Sequence, residues 1–174
     1  MLCVIIFSIF FGGFLMAFEK VKAYFDQKGM TEKLKRYDTP CDTVTHAAEN
    51  IGCEEKQIAK TMSFLLKEDQ PIVIVCAGDT KIANRKFKDF FQTKAKMVPF
   101  DQVEEIIGHE PGGVCPFAVN ENVTIYLDTS LKRFEDVYPA SGDIYSISHL
   151  TLEELEFLTG NPEWIDVCEI KETA

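Results

Sequence analysis

A mixed sheet within a single α/β or α+β domain is the architecture this sequence predicts, and three observations lead to it. The 174 residues fit one domain, and 46% of them are hydrophobic, with 14 Phe, enough to bury a substantial core. Candidate strands outnumber candidate helices and do not alternate strictly with them, which argues against a doubly wound parallel sheet. No repeat, low-complexity tract or Ser/Gly linker divides the chain.

Residues 1–15, MLCVIIFSIFFGGFL, carry no charge. They lack a basic segment before the apolar run and a small-x-small cleavage site after it, and they fall short of the ~20 apolar residues of a typical span. Met16 followed by Ala-Phe-Glu-Lys reads as a helix start, and Gly12-Gly13 is encodable by a purine-rich ribosome-binding sequence. The expectation is a domain over residues 16–174 preceded by translated upstream DNA, with a signal anchor as the alternative. An intact native mass that includes Met1 would overturn the first reading.

Phe18, Val21 and Phe25 fall at helical spacing, with Gly29 at the position of a helix C′ residue. Leu34 to Tyr37 reads as a short strand. Val44, Ala47, Ala48 and Ile51 mark a second helix, started by Asp42 or Thr43 and stopped by Gly52. Over residues 58–66 the period changes to alternation, predicting a strand with Lys60 near its start. The continuous apolar run of residues 71–77 predicts a strand covered on both faces, antiparallel to the previous one across residues 67–70. Asn84 is expected to cap a helix turning Phe87, Phe90 and Phe91 inward. Residues 96–98 read as a strand, and Asp101 with Glu104 as a capping arrangement for a helix facing Val103, Ile106 and Ile107 to the core. Further strands are expected at residues 123–127, 134–138 and 143–148. Thr151 and Glu154 predict a capping box, Gly160 the end of its helix, and residues 164–170 an edge strand.

The formal charge, 18 − 28 = −10, excludes nucleic-acid binding through a broad basic face, so such a substrate would be gripped locally. Six cysteines without a C-x-x-C pair, and no histidine at metal-ligand spacing, point to a reducing cytosol without a zinc site or disulfide framework.

The most distinctive stretch is Gly108-His-Glu-Pro-Gly-Gly-Val-Cys-Pro-Phe117. Its glycines and prolines exclude a helix interior or central strand and predict a shaped loop presenting main-chain groups, or else a tight connection. Lys60 opens an apolar strand; it either reaches a cleft to neutralise a phosphate or polarise a carbonyl, or snorkels from the strand end. Cys115 is either a nucleophile activated by a histidine such as His109, or a small residue packing the loop. Asp128 either meets a substrate amine or caps the turn at Thr129-Ser130. Trp164, Phe87, Phe90 and Phe91 read as core.

Taken together, Ile58-Ala-Lys60-Thr61-Met62-Ser-Phe64, the turn at Gly78-Asp79, the loop ending Gly-Gly-Val-Cys-Pro-Phe117, and Ile125-Tyr-Leu-Asp128 resemble the YbaK/prolyl-tRNA-editing family of aminoacyl-tRNA deacylases. The order and spacing hold from about Met16 to about Leu158. The resemblance implies a single domain with a mixed, barrel-like sheet flanked by helices, and hydrolysis of the ester of mischarged tRNA, commonly cysteinyl- or alanyl-tRNA for proline. It implies catalytic roles for Lys60, Gly112 and Gly113, and substrate contacts from Thr61, Met62, Val114, Cys115, Pro116, Phe117 and Asp128. Partners implied are the tRNA acceptor end and prolyl-tRNA synthetase, with no DNA, membrane, metal or cofactor, in the cytoplasm. A noncatalytic module binding tRNA or a synthetase through the same pocket is the alternative. Two departures are Cys115 where many relatives carry Ser, and Ala118 where many carry Gly; a thiol is the weaker hydrogen-bonding group.

Overall fold

The computed structural model describes residues 7–172, with side chains from residue 17 onward. The expectation about residues 1–15 falls mostly outside what is described. Helix α1 spans Phe7–Lys28, so Met16 lies within it and does not start it as expected, while its buried Phe18, Val21 and Phe25 form the predicted stripe. It ends where Gly29 takes φ +69° and Met30 N–H donates to Phe25 C=O at 3.0 Å. Strand β1 is Leu34–Arg36 and helix α2 Val44–Ile51, capped by the Thr43 side chain and closed by Gly52.

Strands β2 (Ile58–Leu65) and β3 (Pro71–Ala77) form the predicted antiparallel pair, with Lys60 opposite Cys76. β3 is buried at every position, which explains its lack of alternation. Short β4 (Thr80–Ile82) leads to α3 (Asn84–Phe91). Two expectations fail there. Ala83, not Asn84, occupies the cap position, and Phe90 is exposed while Phe87 is fully buried.

Helix α4 is Val103–Ile107, preceded by a 3-10 turn over Phe100–Gln102 and without the Asp101 side-chain cap. There follow β5 (Thr124–Asp128), β6 (Asp136–Pro139), β7 (Ser146–Ser148), β8 (Leu150–Thr151), α5 (Leu152–Leu158), β9 (Glu163–Ile165) and β10 (Cys168–Ile170). The Thr151/Glu154 capping box is present.

Six strands in the order β8-β6-β2-β3-β5-β9 make a curled half-barrel sheet of mixed direction within an α/β domain. β2–β6, β3–β5 and β5–β9 run parallel, while β2–β3 and β6–β8 run antiparallel. The pairs β1–β7 and β4–β10 stand apart.

The site is positioned by what happens along the outer edge of β2. At one end β6 pairs only with Ile58 and Ala59. At the other, residues 96–98 lie against the strand, Leu65 N–H donating to Lys96 C=O at 2.8 Å and Val98 N–H to Ser63 C=O at 3.2 Å. The expected strand at 96–98 is thus reduced to a single bridge, Phe64 with Met97. Between these partners, on the edge away from β3, Lys60, Thr61 and Met62 have no strand partner among the described residues. Because Ser63 and Leu65 bond toward this edge, alternation turns the Thr61 N–H and C=O toward the same gap.

Candidate functional site

A cavity of about 490 Å³ occupies that gap. Lys60, Thr61 and Met62 form one wall, Pro111, Gly112 and Val114 another, and Met97, Val98, Phe100 and Val103 a third. Asp42, Thr43, Val44 and Ala47 from the start of α2, with Tyr138, Ala140 and Ile147, complete it. The lining is mostly apolar; Lys60 and Asp42 are its charged members. The Thr61 hydroxyl is buried without a hydrogen-bond partner among the described residues.

The glycine loop owes its shape to a turn and two anchors. Gly113 N–H donates to Glu110 C=O at 3.0 Å, with Pro111 at the second position and Gly112 at the third with φ +88°. This is type II turn chemistry, which needs a positive φ at that place. Val114 and Gly112 keep N–H groups that none of the described hydrogen bonds uses. Gly113, named beside Gly112 in the sequence reading, has its N–H committed to the turn, and a Cβ there would stand 3.0 Å from Asp143 Cα.

The anchors lie past the turn. Cys115 and Phe117 are fully buried in the main core, and Pro116 is also buried. Phe117 packs edge-on against Phe25 of α1 with centroids 4.9 Å apart. His109, also fully buried, ties the loop's ends by donating from Nε2 to Phe117 C=O at 2.7 Å. None of Cys115, Pro116 and Phe117 lines the cavity. Ala118 follows with φ +50°, the left-handed region where glycine is at ease.

This geometry disarms Cys115 as a nucleophile. Its Sγ lies 3.5 Å from His109 Nε2, but that nitrogen carries the proton given to Phe117 C=O and has no lone pair for a thiol. Burial pushes the thiol up to about 12 and holds the imidazole down at about 4. The depressed imidazole has a consequence for stability. Folding favours neutral His109, so its contribution is complete above pH 6.5 and is lost as the pH falls toward 4. The gap between 6.5 and about 4 corresponds to about 3 kcal/mol, of which about 2 kcal/mol is gone by pH 5. Urea melts at pH 7.5 and 5 are expected to show this loss in the wild type and not in His109→Gln. Equal losses in both would contradict it.

Lys60 is half-buried, and its Nζ donates to Gly78 C=O at 3.2 Å and to Thr80 C=O. Burial lowers its pKa. Two of its three N–H groups are thereby held, and the third has no partner among the described residues. Asp128 lies elsewhere, 1% exposed. Its Oδ1 accepts from Ser130 N–H at 2.9 Å, and its Oδ2 from Val167 N–H and Cys168 N–H at 2.9 and 3.1 Å. It closes the expected turn and splices β5 to the chain entering β10, and its burial keeps it from a substrate amine.

The structure thus gathers Lys60, Thr61, Met62, Gly112 and Val114 around one cavity and sets Gly113, Cys115, Pro116, Phe117 and Asp128 behind it. Sequence reasoning missed Asp42, Met97, Phe100, Tyr138 and Ile147. Phe100 is 80% exposed and Met97 59%, and both stand at the rim. The Pro99-Phe100 step outside any apolar period was the available signal.

A family model described as the aminoacyl-tRNA editing domain matches residues 38–158. The chain belongs to this family. The editing domain is 43% identical over 154 residues to the uncharacterized protein YwhH of Bacillus subtilis (strain 168), covering 88% of this chain and 98% of that protein. It is 31% identical over 112 residues to a proline–tRNA ligase of Limosilactobacillus fermentum, covering 61% of this chain and 20% of the ligase. The chain therefore spans about a fifth of that ligase's length. A solved structure described as a candidate trans-editing enzyme for prolyl-tRNA synthetase shares the fold of the editing domain. Its TM-score is 0.79 at 24% identity, over 88% of this chain and 97% of that one. Among the described residues of the editing domain, no helix is long and apolar enough to cross a membrane.

Proposed function

We propose that this editing domain is an aminoacyl-tRNA deacylase acting in trans, on cysteinyl- or alanyl-tRNA for proline. The observation that carries the reading is the cavity closed between the unpaired edge of β2 and the type II turn at Pro111–Gly112. One wall offers Lys60 and Thr61, and the other the unused N–H groups of Gly112 and Val114. An aminoacyl ester held there has its carbonyl oxygen among donors fixed before the reaction begins. Water adds to the carbonyl carbon, negative charge develops on that oxygen, and the bond to the ribose oxygen breaks as that oxygen takes a proton. Fixed donors stabilise the developing charge, and one such donor is worth about 2.7–4 kcal/mol. The ribose hydroxyl beside the ester assists the water, so the step needs no protein nucleophile, in keeping with the buried, neutral Cys115.

Lys81, Arg85, Lys86 and Lys88 are poor candidates for a grip on the acceptor end. Lys81, Arg85 and Lys86 face Glu169, Asp89 and Asp166 at 3.4, 3.9 and 2.7 Å, and none of the four lines the cavity. Phe100 is the better contact for the terminal nucleotide, because an exposed ring at the rim offers a stacking face to the adenine. Stacking of a base is worth roughly 1–3 kcal/mol, so Phe100→Ala is expected to raise KM for mischarged tRNA about tenfold with little change in kcat. An unchanged KM would remove the ring from the site.

One observation favours the noncatalytic alternative: the Lys60 ammonium already rests on two main-chain carbonyls. A screen across mischarged tRNAs separates the readings. Release of amino acid from alanyl- or cysteinyl-tRNA for proline supports the deacylase, and binding without release supports the module.

A further inference from the structure

An aminoacyl ester differs from other esters in carrying a free α-ammonium next to the scissile carbonyl. A site for it needs a negative charge as well as donors for the oxygen. The cavity has one of each sign, and they come from different elements: Lys60 from β2 and Asp42 from the approach to α2. Among the described residues Asp42 is the one carboxylate of the lining, and the side chains beside it, Val44, Ala47 and Ile147, are apolar. A hydrocarbon wall offers an ammonium no compensation for lost water, so the charge goes where the counter-charge is.

Asp42 is free to take that part. Its Oδ1 accepts from His46 Nδ1 at 2.8 Å, and this bond holds its pKa below the ordinary carboxylate value. Its Oδ2 has no side-chain partner among the described residues. The i, i+4 bond to His46 on the first turn of α2 orients the carboxylate, which stands one residue before the Thr43 cap.

From this single carboxylate in an otherwise apolar lining that also includes Lys60, we propose that Asp42 binds the α-ammonium of the aminoacyl group and makes the site selective for esters with a free amine over N-acylated ones. The inference deepens the deacylase reading and rests on it for the identity of the ligand. With the amine on Asp42, the side chain of the amino acid lies along the apolar wall and the carbonyl turns toward Gly112, Val114 and Lys60. An N-acyl group removes the charge and adds bulk at the same place.

Two paired measurements test this. The first compares hydrolysis of alanyl-tRNA and N-acetylalanyl-tRNA by the wild type, Asp42→Asn and Asp42→Glu. The wild type is expected to favour the free amine at least tenfold in kcat/KM. Asp42→Asn should erase that preference by losing about tenfold on the free-amine substrate alone, and Asp42→Glu should restore part of it. A preference that survives in Asp42→Asn, or equal losses on both substrates, would overturn the proposal. The second measures binding by calorimetry of a non-hydrolysable 3′-alanylamido-3′-deoxyadenosine and its N-acetyl form. If no ester is cleaved but the wild type prefers the free-amine analogue and Asp42→Asn does not, the deacylase reading fails and the role of Asp42 stands. Equal affinity of the wild type for both forms, or no affinity for either, overturns the role itself.

Discussion

Lys60→Met is expected to lower kcat/KM for deacylation roughly 100- to 1,000-fold, the size of effect seen when a fixed donor to a developing oxyanion is removed. Methionine keeps most of the apolar stem and deletes the ammonium, so packing changes least. The ammonium nonetheless has a structural task, since it bridges the carbonyls of Gly78 and Thr80 on the turn between β3 and β4. Leaving such acceptors unpaired costs about 1–3 kcal/mol. A drop in stability of that size therefore accompanies the kinetic loss and is measured separately by urea melts at the assay temperature. If Lys60 serves only the turn, activity corrected for the folded fraction stays at the wild-type level. That outcome would move Lys60 out of the reacting group. A kinetic loss far beyond the folding loss keeps it there.

Gly78→Ala is expected to be the most destabilising glycine-to-alanine change among the described residues. A Cβ at this position would stand 2.0 Å from Glu55 C=O and 2.8 Å from Val44 Cγ1. The first neighbour is main chain, so β3 or the segment before β2 must move. Overpacking of this kind costs about 3 kcal/mol, a fall in Tm of roughly 10 °C for a chain of this size. Gly52→Ala supplies the contrast. Nothing lies within 4 Å of its added carbon, and only the left-handed backbone, φ +78°, opposes it, at about 1–2 kcal/mol. Thermal melts that rank Gly52→Ala below Gly78→Ala would contradict the packing at this turn. Because Gly78 C=O also seats the Lys60 ammonium, Gly78→Ala is expected to lose activity at temperatures where it is still folded.

The elements legible in the sequence were those whose signals are local. Phe18, Val21 and Phe25 mark a helical face, Thr151 with Glu154 marks a capping box, and the apolar run of β3 marks a strand buried on both sides. Local capping chemistry was misread at Asn84 and Asp101, where the structure makes no side-chain cap. The strand expected at residues 96–98 shrank to a bridge because it pairs with only the far end of β2, a fact of the sheet and not of those residues.

At the site, the loop of glycines and prolines could be recognised, but not which of its amides are free. That depends on the bond from Gly113 to Glu110, which removes Gly113 and leaves Gly112 and Val114. Cys115 and Asp128 show the same limit. Both stand beside catalytic-looking neighbours in the sequence, yet burial takes one into the core and three backbone amides occupy the other. Asp42 reads in the sequence only as a helix start, and Phe100 only as a residue outside any apolar period, because each comes to the cavity by a long-range contact.

The most direct test of the central claim is release of amino acid from alanyl- or cysteinyl-tRNA for proline by the purified chain, with the tRNA in excess over protein. The account predicts many turnovers per molecule for at least one of the two, no turnover of correctly charged prolyl-tRNA, and full activity in Cys115→Ser. Tight binding of either tRNA with no amino acid released would contradict it.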